Sequence, residues 1–214
     1  RGKLVRSSLV LVMNDYLNGD SKPALDVALA FELLQASLLV HDDIMDEDDL
    51  RRGMPSLHKQ YEQIATDRRF ENPSLFGVSM GICLGDIALF LCYELLSKTN
   101  NPSLLSLFSK QISIVGLGQM QDVSFGMNTL VPSPDEILSM YNEKTSTYTF
   151  TLPMQCALLL NDNEELIDSF ATLGRLLGQL FQIRDDYLGL YSTNDYLDKT
   201  VGLDIITGQK TNFY

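Results

Sequence analysis

Positive charge is scarce in this chain. Its 214 residues carry 16 Lys and Arg against 28 Asp and Glu, a net charge of −12. That balance excludes a basic face for nucleic acid and a purely electrostatic grip on anionic membranes. Cysteine is scarce too. Cys83, Cys92 and Cys156 sit in apolar contexts without metal-ligand spacing, and read as small buried hydrophobes in a reducing, cytoplasmic setting. No uninterrupted apolar run reaches the ~18 residues of a membrane span, so no transmembrane segment is expected. The opening RGKLVRSSLVLVMNDY places basic residues before an apolar stretch, but it lacks a small-residue cleavage site and reads as an amphipathic helix. Sustained strand alternation and repeats of fixed period are absent.

Helical periodicity is what remains. The stretches from Pro23, Pro73, Pro102, Pro132 and Glu164 place apolar residues three and four apart. Two of them follow an Asn-Pro step, which supplies a cap and then a helix start. Helices of roughly 20 to 28 residues are expected, longer than the globular average. Several are apolar on more than one face, so some must be central. One segment, Thr145 to Thr151, is rich in Thr and aromatic residues, and predicts a break within its helix. The fold class is all-α: one bundle of long helices, a single domain over residues 1–214. Both ends read as cut, so the domain is expected to extend beyond them.

The helix from Pro23 ends in six carboxylates within eight residues, Asp42 to Asp49. In a helix Asp42 and Asp46 share one face, about 6 Å apart, while Asp43 points away. Such a cluster opposes the helix dipole and repels itself. A hard divalent cation removes the conflict, since Mg²⁺ takes carboxylate oxygens and completes its shell with water and phosphate. A second acidic pair, Asp185 and Asp186, ends another apolar helix, with Gln182 one turn earlier. Two such pairs suggest opposed metal-binding walls at one mouth of a bundle. The spacing does not fit an EF-hand loop. The scattered cations, Lys3, Arg6, Arg51, Arg52, Lys144, Lys199 and Lys210, complete the description of a diphosphate pocket, where metal bridges oxygens and cations clamp the remainder. His41 and His58 are read as structural.

With these motifs in place, the chain resembles the trans-isoprenyl diphosphate synthases, also called polyprenyl synthetases, along essentially its whole length. GKLVR is similar to the opening Gly-Lys-x-x-Arg of that family. LLVHDDIMDEDDLRRG resembles its first aspartate-rich motif, and FQIRDDYLGLY its second. GQMQD, KTSTYTF and DKTVGLDIITGQKT resemble the segments between and beyond them. The resemblance implies a bundle around a central apolar cavity. It also implies three Mg²⁺ ions, held by Asp42, Asp46 and Asp185, that bind an allylic diphosphate. Arg51, Lys144, Lys199 and Lys210 would clamp that diphosphate, while Lys3, Arg6, Gln35 and Arg52 would bind isopentenyl diphosphate. A homodimer through helix faces is implied as well.

Chemically, the resemblance implies ionisation, condensation and elimination to a longer polyprenyl diphosphate. Backbone carbonyls freed by the break at Lys144 and Thr145, with the Gln182 amide oxygen, would flank the allylic cation. Ser37 and Leu38, five and four residues before Asp42, stand where a floor would set product length. With a small and a moderate residue there, products of geranylgeranyl length or longer are expected. The second motif usually ends in Asp where this chain has Gly189, which bears on the strength of the third metal site. A class I terpene synthase and a non-catalytic subunit of a heteromeric synthase remain as alternatives.

Overall fold

The computed structural model describes residues 4–129 and 131–191. Lys3, Lys199 and Lys210 therefore lie outside the described residues. The helices are α1 (Val5–Tyr16), α2 (Ser21–Met45), α3 (Leu57–Asp67), α4 (Pro73–Ser97), α5 (Pro102–Met127), α6 (Pro134–Tyr141), α7 (Leu152–Leu160) and α8 (Ile167–Tyr191). A π-helix, Asn142–Thr151, joins α6 to α7, and a 3-10 turn, Glu164–Leu166, leads into α8. Two-residue strands β1 (Leu50–Arg51) and β2 (Met54–Pro55) form a hairpin between α2 and α3.

Local chemistry starts the long helices where the sequence places them. The Asn72 and Asn101 side chains accept hydrogen bonds from the backbone N–H groups of Leu75, 3.1 Å, and Leu104, 2.9 Å. These caps satisfy donors that a helix start leaves open. Helix α2 begins two residues ahead of Pro23, at Ser21, because Asp20 caps it. Helix α6 opens on a capping box in which Ser133 and Glu136 hydrogen-bond reciprocally.

Helix α2 occupies the middle of the bundle, packed along α1 and α4. Phe31 of α2 and Tyr93 of α4 both stack against Phe108 of α5, at ring-centroid distances of 5.4 and 5.8 Å, and tie three helices to one point. Residues Leu152 to Leu159 of α7 are all buried, as a helix apolar on every side requires. Helix α4 contrasts with this: Leu75, Ile82, Ile87 and Phe90 are exposed. Although no uninterrupted apolar run is long enough, α2 and α4 have the length and overall composition to cross a bilayer; no other helix among the described residues does. Cys92 and Cys156 are buried as expected, but Cys83 is exposed on α4, because the glycine stripe of that helix, not Cys83, faces its neighbours.

The Thr-rich break differs from expectation. The chain does not leave the helix between α6 and α7; it widens into ten residues of π-helix. Two hydroxyls match the widening. Ser146 Oγ donates to the Tyr141 carbonyl, 3.3 Å, and Thr147 Oγ1 to that of Asn142, 2.8 Å, each five residues back. This spacing matches the i→i+5 backbone pattern of a π-helix. The carbonyls of Tyr141 and Asn142 are engaged within the chain in this way.

Candidate active site

The acidic end of α2 is half-buried, and cations lie against it. Asp46 is the C-cap residue, with its N–H on the Asp42 carbonyl at 2.9 Å, so the i, i+4 relation survives to the last turn. The hairpin after Asp49 turns the chain back on itself. Its two turn residues, Arg52 and Gly53, both have positive φ, 55° and 74°, as a two-residue hairpin turn demands. Arg51 is thereby returned to the helix end, where its guanidinium pairs with buried Asp43 and lies 3.5 Å from Asp42 and 3.8 Å from Asp48. Arg52, its neighbour, is exposed. Burial pushes the Asp43 carboxyl above its ordinary pKa, and Arg51 offsets this only in part. Burial also works against the Arg51 charge, but Asp43, and then Asp42 and Asp48, raise its pKa overall.

Lys144 of the π-helix approaches the same end from the other side. Its Nζ pairs with Asp122 of α5 and lies 3.5 Å from Asp42. Burial alone would lower its pKa, yet Asp122, Asp42 and Asp46 outweigh that and hold the ammonium well above the usual lysine range. Gln119, one turn before Asp122, donates to Asp42 at 3.1 Å. Neither Asp122 nor Gln119 was assigned a role from sequence. The signal is there in GQMQD: Gln119 and Asp122 stand three apart on one helix face, and Asp122 is the one acidic residue of α5.

Thr145, the next residue, serves the opposite wall. Its hydroxyl donates to Gln182 Oε1 at 2.8 Å, and Gln182 Nε2 donates to Asp186, also at 2.8 Å. Asp186 is buried and accepts from the Tyr141 hydroxyl, whereas Asp185 is exposed. Two adjacent π-helix residues thus bridge the two acidic helix ends. Four residues on, the same π-helix meets Arg6. Arg6 Nη2 donates to Thr149 Oγ1 at 2.7 Å, Nη1 donates to Gln35 Oε1 at 2.8 Å, and the guanidinium lies 4.0 Å from the centre of the Tyr148 ring. Arg6 is buried and its Nε has no hydrogen-bond partner. Arg6 and Gln35, matched to one ligand by resemblance, do stand together. Ser37 is 1% exposed, and Leu38 packs half-buried on the core. His41 turns away from Asp42; its Nε2 lies 3.3 Å from the Ile82 carbonyl and 3.5 Å from Asp86. His58 is buried beside Ser56.

The donors at both walls are carboxylate oxygens, the chemistry of Mg²⁺ or Ca²⁺. Among the described residues no group of three or more His, Cys, Asp or Glu side chains is arranged for a metal. Mg²⁺ fits such a site, because it is held by one or two carboxylates and fills its shell with water and phosphate oxygens. Lys144 lies among three carboxylates, so negative charge is in excess there.

This all-helical bundle has the fold of the isoprenoid synthases. Residues 1–214 match the polyprenyl synthetase family. The chain is 30% identical over 215 residues to a geranylgeranyl diphosphate synthase of Methanosarcina mazei, which covers 98% of this chain and 61% of that protein. It is 32% identical over 214 residues to a short chain isoprenyl diphosphate synthase of Methanocaldococcus jannaschii, 98% of this chain and 60% of that protein. Among solved structures, a geranylgeranyl pyrophosphate synthase from Corynebacterium glutamicum, complexed with isoprenyl diphosphate and magnesium, gives a TM-score of 0.90 at 28% identity, over 99% of this chain and 62% of that one. The chain belongs to the polyprenyl synthetase family, and it spans about three fifths of the length of these curated relatives.

Close backbone approach sets the Lys144 geometry. A Cβ on Gly118 of α5 would lie 2.6 Å from the Lys144 backbone nitrogen, whereas one on Gly116 would meet nothing within 4 Å. Gly118→Ala should therefore destabilise the protein by about 1–3 kcal/mol through overpacking. Gly116→Ala, in the same helix, should stabilise it by up to ~1 kcal/mol through helix propensity. Denaturant midpoints of the two variants test this, and shifts of the same sign would contradict it.

Proposed function

We propose that the protein is a trans-prenyltransferase, condensing isopentenyl diphosphate head to tail with an allylic diphosphate to give a polyprenyl diphosphate of geranylgeranyl length or longer. The observation that carries the reading is the π-helix, whose neighbours Lys144 and Thr145 reach the first and second acidic walls respectively. The names of the relatives, geranylgeranyl and short chain isoprenyl diphosphate synthases among them, support it.

Asp42 and Asp46 on one wall and Asp185 on the other would hold three Mg²⁺ ions, which supply Lewis acidity to the allylic diphosphate as its carbon–oxygen bond breaks. Arg51 and Lys144 exchange their present carboxylate partners for phosphate oxygens of that substrate. Lys199 and Lys210 take part in the same clamp. Gln35, Lys3, Arg52 and Arg6, whose Nε has no hydrogen-bond partner, bind isopentenyl diphosphate. The Gln182 amide oxygen and the Thr145 hydroxyl face the developing allylic cation without offering it a nucleophilic water. The isopentenyl double bond attacks, a carbon–carbon bond forms, and the proton lost passes to the released diphosphate. In a water-poor site, charge stabilisation of this kind supplies most of the rate acceleration in many enzymes.

The setting is cytoplasmic and the assembly a homodimer. A second copy would cover the outer flank of α4, where Phe90 is 72% exposed, together with Met120 of α5, 70% exposed. Light scattering of the full-length protein should give a dimer, and Phe90→Glu a monomer. A monomeric wild type would contradict the assembly.

Incubation of the full-length protein with labelled isopentenyl diphosphate and an allylic diphosphate tests the activity. Mg²⁺-dependent extension is expected, lost on chelation and reduced roughly 100-fold or more by Asp42→Ala. Ser37→Phe should shorten the product, because its ring would close the passage that the resemblance implies one turn below Asp42. A cyclised hydrocarbon would instead favour a terpene synthase, and a wild-type product that stops at farnesyl length would refute the role of Ser37 and Leu38.

A further inference from the structure

We propose that Tyr141 and Asp186 are positioning residues that fix which edge of the Gln182 amide is turned toward the reacting centre. The inference rests on the prenyltransferase reading and deepens it.

Helix α8 lies against α6 and the π-helix along one face. Positions 174, 178, 182 and 186, four apart, meet Thr151, Ser146, Thr145 and Tyr141 in turn. The first two are glycines, and a Cβ at either would collide with the backbone of Thr151 or Ser146. The two elements therefore run in close contact up to Gln182, and that contact sets where its side chain can go. It does not set which way the amide faces, since the oxygen and the NH₂ group are nearly alike in shape.

Hydrogen bonding makes that choice. An ionised carboxylate accepts and does not donate. Asp186 is buried, and one of its oxygens accepts from the Tyr141 hydroxyl. The other accepts from Gln182 Nε2 at 2.8 Å, so the amide nitrogen is held toward Asp186. Oε1 then faces the π-helix, where the Thr145 hydroxyl donates to it at 2.8 Å. Lys144, on the first acidic wall, is the residue before Thr145.

The orientation bears on the chemistry. The Gln182 oxygen is a neutral acceptor beside Thr145. Its negative edge favours an allylic cation, and a flipped amide would set N–H groups against that cation instead. Tyr141 keeps Asp186 in place by donating to it, and so acts on the cation through two intermediaries.

A double-mutant cycle on the full-length protein tests the chain of action. Tyr141→Phe keeps the ring, which packs with Ile137 and Met140, and removes the hydroxyl. It should lower kcat for chain extension about tenfold, the scale of one misdirected hydrogen bond, with KM for both diphosphates little changed. In a Gln182→Met background the same substitution should lower kcat no further. Penalties that multiply, or a change confined to KM, would overturn the proposal. A second readout needs no substrate. The side-chain amide NMR signals of Gln182, identified by their loss in Gln182→Met, should shift and exchange faster in Tyr141→Phe and Asp186→Leu. Unchanged signals in Tyr141→Phe would also overturn it. A wild type that extends nothing would refute the prenyltransferase reading separately, while the amide signals still report on the clamp.

Discussion

Ten residues of π-helix, Asn142–Thr151, place the hydroxyls of Ser146 and Thr147 on carbonyls five residues back. This constraint sets which residues of the segment face which neighbour. Lys144 turns to the end of α2 and to Asp122, Thr145 to Gln182, and Tyr148 and Thr149 to Arg6. An α-helical path through the same residues would rotate these faces against one another. The site would then lose the bridge between its two acidic ends, and Arg6 would lose its seat.

Charge balance follows from that placement. Six carboxylates at the end of α2 are unfavourable alone, since they oppose the helix dipole and one another. Arg51 and Lys144 hold them in check in the protein by itself. Both cations are held above their ordinary pKa values by the carboxylates around them, so they stay charged at any physiological pH. A diphosphate with its metals offers each side something better: cations gain phosphate oxygens, and carboxylates gain metal. The same groups can thus serve stability in the free protein and binding in the complex.

Much of this was legible in the chain. The Asn-Pro steps placed α4 and α5, because capping is local chemistry, and the two acidic pairs marked the end of α2 and the last two turns of α8. The Thr-rich stretch was visible as an irregularity but not as a π-helix, since that form depends on hydroxyl bonds that compete only weakly with the α pattern. The hairpin that returns Arg51 is two residues per strand, too short to show alternation. Arg6 and Thr149 are 143 residues apart, so only the fold brings them together. Asp122 was visible as the one acidic residue of α5, yet its partner Lys144 comes from another element.

The central claim is that the acidic ends and their cations form one receptor for a metal-bound diphosphate. Calorimetric titration of the full-length protein with inorganic pyrophosphate, with and without Mg²⁺, tests it most directly. Tight binding is expected only when both are present, since pyrophosphate alone would meet the carboxylates and Mg²⁺ alone the cations. Equal binding of pyrophosphate without the metal, or none with it, would contradict the account.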